Sequence, residues 1–144
     1  MSLFCNFLIP DQILCRSCGA VVSSSNYIFS KESPSSQYAF EDTLFSRKAV
    51  LVQVFQSDIL FNFAVITAEH STCLSIGEWE TSELWFPGYR WKPCVCPECG
   101  DYVGWVFEPI EHNLFIPNIQ FFGLILTNLI GESFTNSLII YPKD

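Results

Sequence analysis

Residues 85–107 read WFPGYRWKPCVCPECGDYVGWVF, and this stretch decides what kind of fold the chain can build. Cys96-Pro-Glu-Cys99-Gly100 is a Cys-x-x-Cys-Gly knuckle, and a second one, Cys15-Arg-Ser-Cys18-Gly19, lies far upstream. Tetrahedral zinc takes four soft ligands at about 2.3 Å, and each knuckle supplies two from one turn. Gly19 stands where a backbone turning around a metal often needs a positive φ. The four thiolates Cys15, Cys18, Cys96 and Cys99 make a closed site, so the expected zinc is structural and not catalytic. Compact zinc ribbons separate their knuckles by roughly 15–20 residues. The much longer interval here makes the metal a pin between distant parts of one domain.

Cys94-Val-Cys96-Pro-Glu-Cys99 offers three thiols for two places. Cys96 and Cys99 are chosen because both knuckles then share one geometry. A redox dithiol or a pair of disulfides is the competing reading, and the presence of two knuckles favours metal. Cys5, Cys73 and Cys94 are left over: either small buried hydrophobes, or two of them joined as a disulfide in an oxidising compartment.

Three of the four tryptophans, Trp85, Trp91 and Trp105, surround the second knuckle. Pro87-Gly88 is a tight-turn signal, so Trp85 and Trp91 leave it on opposite limbs and can face one another. Trp105 follows on the strand leaving the knuckle. Tryptophan is large and wants a partner for its N–H, so three together favour a pocket or an interface over plain core. Such a pocket suits either a quaternary ammonium group, by cation–π attraction, or a compact neutral ring with a hydrogen-bonding edge. Residue types alone leave both open.

The rest of the chain bounds the answer. At 144 residues and 16.4 kDa it fits one domain, expected over 1–144. It is 49% hydrophobic and only 15% charged, which excludes disorder over most of its length. A net charge of -8 with no Lys/Arg cluster excludes nucleic acid and an anionic membrane surface as expected partners. The N-terminal MSLFCNFLIP has no basic flank or small-residue cleavage site, so it does not read as a signal peptide. The charge-free stretch 113–131 carries Pro117 and several amides, and reads as buried strands rather than a membrane span. His70 and His112 read as ordinary histidines.

Strands are expected over 21–29, 49–55, 59–67 and 102–107, with a Ser-rich loop at 31–37. No segment holds a 3.6-residue apolar period over 12 residues. The fold class is mostly β. The core is placed at about 14–126, with 1–13 as a lead-in and 127–144 as a tail of open packing.

Taken in order, CR-x-C at Cys15, IFS at Ile28–Ser30, SELWFPGYRW at 82–91, the Cys96 knuckle, GW-x-F at Gly104–Phe107 and an aromatic-Phe-Gly-Leu step at Phe121–Leu124 resemble the CULT domain, the thalidomide-binding domain type of cereblon. The likeness covers about 14–126 and is weakest over 31–82. It implies a β-tent fold of two antiparallel sheets pinned by a structural zinc on four cysteines. It also implies a tri-tryptophan cage for a cyclic imide of the glutarimide type, such as thalidomide analogues or C-terminal cyclic imides on peptides, or for a uridine-like ring. Carried over, Trp85, Trp91 and Trp105 are the walls, Phe107 supports the floor, and backbone groups of Glu83 and Trp85 meet the imide edge. Glu83 stands where the family has a histidine. The family's Asn-Pro-His loop has no counterpart, and Ser46-Arg47-Lys48 is expected in its region. The adaptor-docking Lon-like domain of cereblon has no room in this sequence. The resemblance leaves both a cytoplasmic or nuclear location and a secreted one open.

No Cys-His or Ser-His arrangement stands at recognisable spacing, so a binding module and not an enzyme is expected. The alternatives are an enzyme similar to methionine sulfoxide reductase B, with Cys73 or Cys94 as its nucleophile, and a protein-interaction domain that uses the aromatic cluster.

Overall fold

β-branched and aromatic residues dominate the segments that pair, and they pair in two antiparallel sheets. The structure, a computed structural model, describes residues 9–57, 61–82, 84–111 and 119–140. The smaller sheet has three strands in the order β11-β1-β2: β1 (Gln12–Cys15) lies between β2 (Val21–Ser24) and β11 (Leu129–Gly131). The larger sheet runs β4-β5-β6-β10-β9-β8-β7, from β4 (Tyr38–Leu44), β5 (Arg47–Gln56) and β6 (Asn62–Ala68) through β10 (Phe121–Ile125), β9 (Tyr102–Pro109) and β8 (Tyr89–Val95) to β7 (Leu74–Ser75). The short β3 (Ile28–Phe29) adds to β6.

Alternation along the strands splits the core in two. On β6, Ile66 and Ala68 face a cluster shared with the small sheet, where Ile13, Val22 and Leu129 meet Val50, Val52 and Leu124. Val65 points the other way, into an aromatic cluster of Phe55, Trp85, Phe86, Trp105, Phe107 and Phe121. One face of the large sheet therefore builds the body of the domain, and the other carries the tryptophans.

The expected strand 21–29 is interrupted: Ser25–Tyr27 forms a 3-10 turn whose entry is capped by Ser24. Its apolar residues fall on two different sheets, which one continuous strand would not allow. The tail is packed. β11 pairs with β1, and helix α1 (Glu132–Ile140) follows it directly. The Asp11 carboxylate accepts from the Ser133 backbone N–H at 2.9 Å and from its hydroxyl at 2.8 Å, so a residue outside the helix caps its first turn.

The β4–β5 hairpin turns through Phe45 and Ser46, both with left-handed φ (54° and 59°). Hairpins of this kind favour Asn-Gly; Phe-Ser is strained there and is held by contacts. Ser46 Oγ donates to Asp11, and Arg47 Nη1 donates to the Ser25 carbonyl at 2.7 Å. The expectation for Ser46-Arg47-Lys48 is corrected accordingly: this tip anchors on the small sheet and its hydrogen bonds go there, not to the tryptophans.

Candidate functional site

The two knuckles fold as near copies. Gly19 N–H donates to the Cys15 carbonyl at 2.8 Å, and Gly100 N–H to the Cys96 carbonyl at 2.9 Å. Cys15 N–H then donates to Ala20 O, as Cys96 N–H does to Asp101 O, each at 2.8 Å. Gly19 and Gly100 share a φ of 81°, a conformation that costs other residues roughly 1–2 kcal/mol. Cys15 ends β1 in the small sheet, and Cys96 follows β8 in the large one, so the pairing of knuckles ties the sheets together.

The four Sγ atoms lie within 4.8 Å of one another. Cys15 and Cys99 are 3.7 Å apart, and Cys18 and Cys96 3.6 Å. Ligands at about 2.3 Å from a tetrahedral zinc have S···S edges of about 3.8 Å, so the cluster fits such an ion. Without a cation the thiols share the burden of ionising. At Cys96, burial pushes the thiol up, but the N–H groups of Cys99 and Glu98 and the neighbouring thiols pull it below its usual value. At Cys99 the Asp101 N–H pulls down, yet desolvation and the three neighbouring cysteines win, and the thiol is pushed up to about 12. At Cys18 the Ala20 N–H and Cys99 pull down, but desolvation, Cys96 and Cys15 outweigh them and the thiol is raised. Such a set of clustered thiol donors suits a metal cation, which favours their deprotonated form.

Cys73 and Cys94 form a disulfide, with Cα atoms 5.5 Å apart, inside the body of the domain. The sharper of the two readings for the leftover cysteines holds for this pair; Cys5 lies outside the described residues. Cys94 sits on β8 and Cys73 in the segment leading to β7, so the bond closes a loop that contains Trp79, Trp85 and Trp91.

The three expected tryptophans come together. Trp85 and Trp105 lie 4.4 Å apart between ring centroids with their planes tilted by 32°. Trp91 meets Trp85 edge-on at 6.2 Å and 79°. The limbs separate at a turn closed by Tyr89 N–H to Phe86 O, 3.1 Å. Trp91 is fixed on both sides: β9 places Phe107 opposite it, and a bridge to Glu80 occupies its other edge. Its indole N–H donates to the Ser82 carbonyl at 3.0 Å. Trp105 is opposite Pro93 on β8 and Gly123 on β10. Gly104 lets β9 and β10 approach, since a Cβ there would stand 1.9 Å from the Gly123 oxygen. Phe107 sits deeper, packed on Phe86 and stacked on Phe121. Glu83 lies outside the described residues, as does His112.

Several residues of this site were not singled out from the sequence. Phe63 packs edge-on against both Trp85 and Trp105, and Phe55 against Trp85. The Ser-rich loop is a clamp. Buried Gln53 accepts from the Ser33 N–H at 2.6 Å and donates to the Lys31 carbonyl at 2.8 Å. Ser33 Oγ then donates to the Trp85 carbonyl at 2.5 Å. A polar residue in the inward phase of β5 was the available signal.

No protein-family model matches the chain. Among curated proteins, cereblon of Drosophila virilis is 48% identical over 48 residues, which is 33% of this chain and 7% of that relative. Cereblon of Drosophila erecta is 40% identical over 62 residues, 42% of this chain and 10% of the relative. Cereblon of Drosophila melanogaster is 46% identical over 48 residues, 33% of this chain and 8% of the relative. The likeness thus covers a third to two fifths of this chain and about a tenth or less of those proteins.

Proposed function

We propose that this cereblon-like domain is a binding module whose Trp85–Trp91–Trp105 cage takes a small ring of the cyclic-imide or uridine type, free or at the end of a peptide. The observation that carries this is the convergence of three indoles, from both limbs of a turn and a third strand, on one face of the large sheet. Trp85 and Trp105 touch. A ring between two walls needs them about 7–8 Å apart, twice an ordinary carbon contact. Trp91 also meets Trp85 edge-on, so the ligand lies against the three indoles rather than between Trp85 and either neighbour. The metal held by Cys15, Cys18, Cys96 and Cys99 is read as zinc, and its role is to fix the connection between β8, which carries Trp91, and β9, which carries Trp105.

We read the domain as non-enzymatic. Cys73 and Cys94, the two candidate nucleophiles, spend their sulfurs on one buried bond, whereas a reactive cysteine needs an accessible thiolate. The same bond supports the secreted location, because disulfides persist in oxidising compartments. No helix among the described residues is long and apolar enough to cross a membrane.

The test is a titration of zinc-loaded protein with a glutarimide compound, followed by tryptophan fluorescence. Saturable change that disappears in Trp91→Ala, with zinc content unaltered, is expected. Retained affinity in that variant sinks the cage.

A further inference from the structure

A strand at the end of a sheet presents a row of backbone N–H and C=O groups that another strand can pair with, so proteins keep such edges short, covered or charged with lysine. Three of the four sheet edges here are short or covered. β7 has two residues and β11 three. β2 is covered by the segment before β7: Thr72 N–H donates to the Val22 carbonyl at 3.0 Å, Ser71 Oγ to the same oxygen at 2.7 Å, and Thr72 Oγ1 to the Val21 carbonyl at 2.9 Å. β4 is the exception. It ends the large sheet, runs for seven residues, and no strand among the described residues pairs with its outer side. Tyr38 through Thr43 are all exposed. The strand holds no Pro, Lys or Arg, and its register with β5 is regular from Tyr38 to Asp42. Tyr38 and Phe40 project from one face, 60% and 45% exposed, with their rings stacked 6.4 Å apart.

We propose that β4 pairs with β4 of a second copy of this chain, antiparallel about a two-fold axis at Phe40, joining the two large sheets into one. A two-fold interface must be self-complementary, and the sequence of this edge is so in one register. Centred on Phe40, the pairing sets Phe40 against Phe40, Ala39 against Glu41 and Tyr38 against Asp42, and directly opposed side chains share a face. The aromatic rings then meet at the axis. Asp42 Oδ1 accepts from the Thr43 N–H at 2.8 Å, which leaves Oδ2 for the hydroxyl of the copy's Tyr38. Centring on Glu41 or Asp42 instead opposes like carboxylates, which destabilises a strand pair. The two acids thus select where the copy sits, and the copy carries what the edge calls for: an aromatic at the centre and a hydroxyl donor two residues from it. The axis stands perpendicular to the sheet, so both tryptophan clusters lie on the same side of the joined sheet. The interface is independent of which ligand the cage takes.

The experiment is sedimentation velocity on the full chain, zinc-loaded and with its disulfide intact, from micromolar to several hundred micromolar. Every sample carries Cys5→Ser, so that association is non-covalent. Backbone amide exchange over β4 is followed at both ends of that range. A monomer–dimer equilibrium is expected, strengthened by added salt because each chain carries a net charge of -8. Amides of residues 38–43 should exchange more slowly at the higher concentration. Two variants read the register. Phe40→Lys opposes two ammonium groups at the axis and should weaken the dimer at least about tenfold. Tyr38→Lys sets an ammonium against the copy's Asp42 and should leave the dimer within about threefold of its original strength. Loss of the dimer in both variants alike overturns the pairing, since any apolar contact would give that result. A dimer that survives Phe40→Lys, or that forms without slowing exchange over β4, overturns it as well. A monomer at every concentration overturns the inference and leaves the edge to a strand of a different protein. If Phe40→Lys does not fold, exchange over β4 and the Tyr38→Lys variant decide.

Discussion

Cys94 and Cys96 stand two residues apart at the end of β8, and their sulfurs go to different partners. Cys94 is bonded to Cys73 in the core between the sheets, while Cys96 lies 3.6 Å from Cys18 in the four-thiol cluster. The disulfide thereby takes up the thiol that the sequence offers as a rival to Cys96 in the cluster.

That allocation sets the first expectation. Cys96→Ser should lose the metal, whereas Cys94→Ser should still bind one equivalent of zinc per chain, measured by elemental analysis of protein dialysed against a chelator. Loss of zinc in Cys94→Ser would show that the knuckle uses the other pair of thiols.

Metal uptake should release protons. Cys18 and Cys99 are raised, the latter to about 12, so both are protonated at neutral pH until a cation displaces the protons. The sign follows: each displaced proton makes zinc affinity fall as pH falls. Competition against a chromophoric chelator between pH 8 and pH 6 should show progressively weaker binding.

Removing the Cys73–Cys94 bond should cost about 2–4 kcal/mol, mainly by freeing the unfolded chain. The Cys73→Ala/Cys94→Ala pair, unfolded in urea with zinc present, should show a lower midpoint and a somewhat steeper slope, because the freed unfolded chain exposes more surface. An unchanged midpoint would mean that β7–β8 pairing already fixes this loop.

The Gln53 clamp should matter out of proportion to its distance from the tryptophans. Gln53→Leu leaves the Ser33 N–H and the Lys31 carbonyl without partners in a buried place, at about 1–3 kcal/mol. Ser33→Ala removes one bond to the Trp85 carbonyl, about 1 kcal/mol. Both should also shift tryptophan emission, because the clamp seats Trp85; a stability loss with emission unchanged would separate the loop from the cage.

Asp11→Ala should release α1. The carboxylate is the helix's cap and also holds the Ser46 hydroxyl, so about 1–2 kcal/mol is at stake. Amide exchange should quicken over the first turn of α1 and at the hairpin tip together. Exchange that quickens at only one of them would break the proposed coupling of the two.

The local pattern of the sequence was enough for the twin knuckles, the choice of Cys96 and Cys99, the β class and the meeting of Trp85, Trp91 and Trp105. Each of these is fixed by short-range chemistry: ligand type and spacing, a Pro-Gly turn, β-branched alternation. Tertiary structure decided the rest. Helix α1 is nine residues long, too short for its period to stand out, and its cap is Asp11 from the far end of the chain. The pairing of Cys73 with Cys94 depends on two segments meeting across 21 residues, a distance over which cysteine spacing carries no preference. The indole nitrogen of Trp85 is buried without a hydrogen-bond partner among the described residues, and no residue type at one position encodes what its neighbours fail to provide.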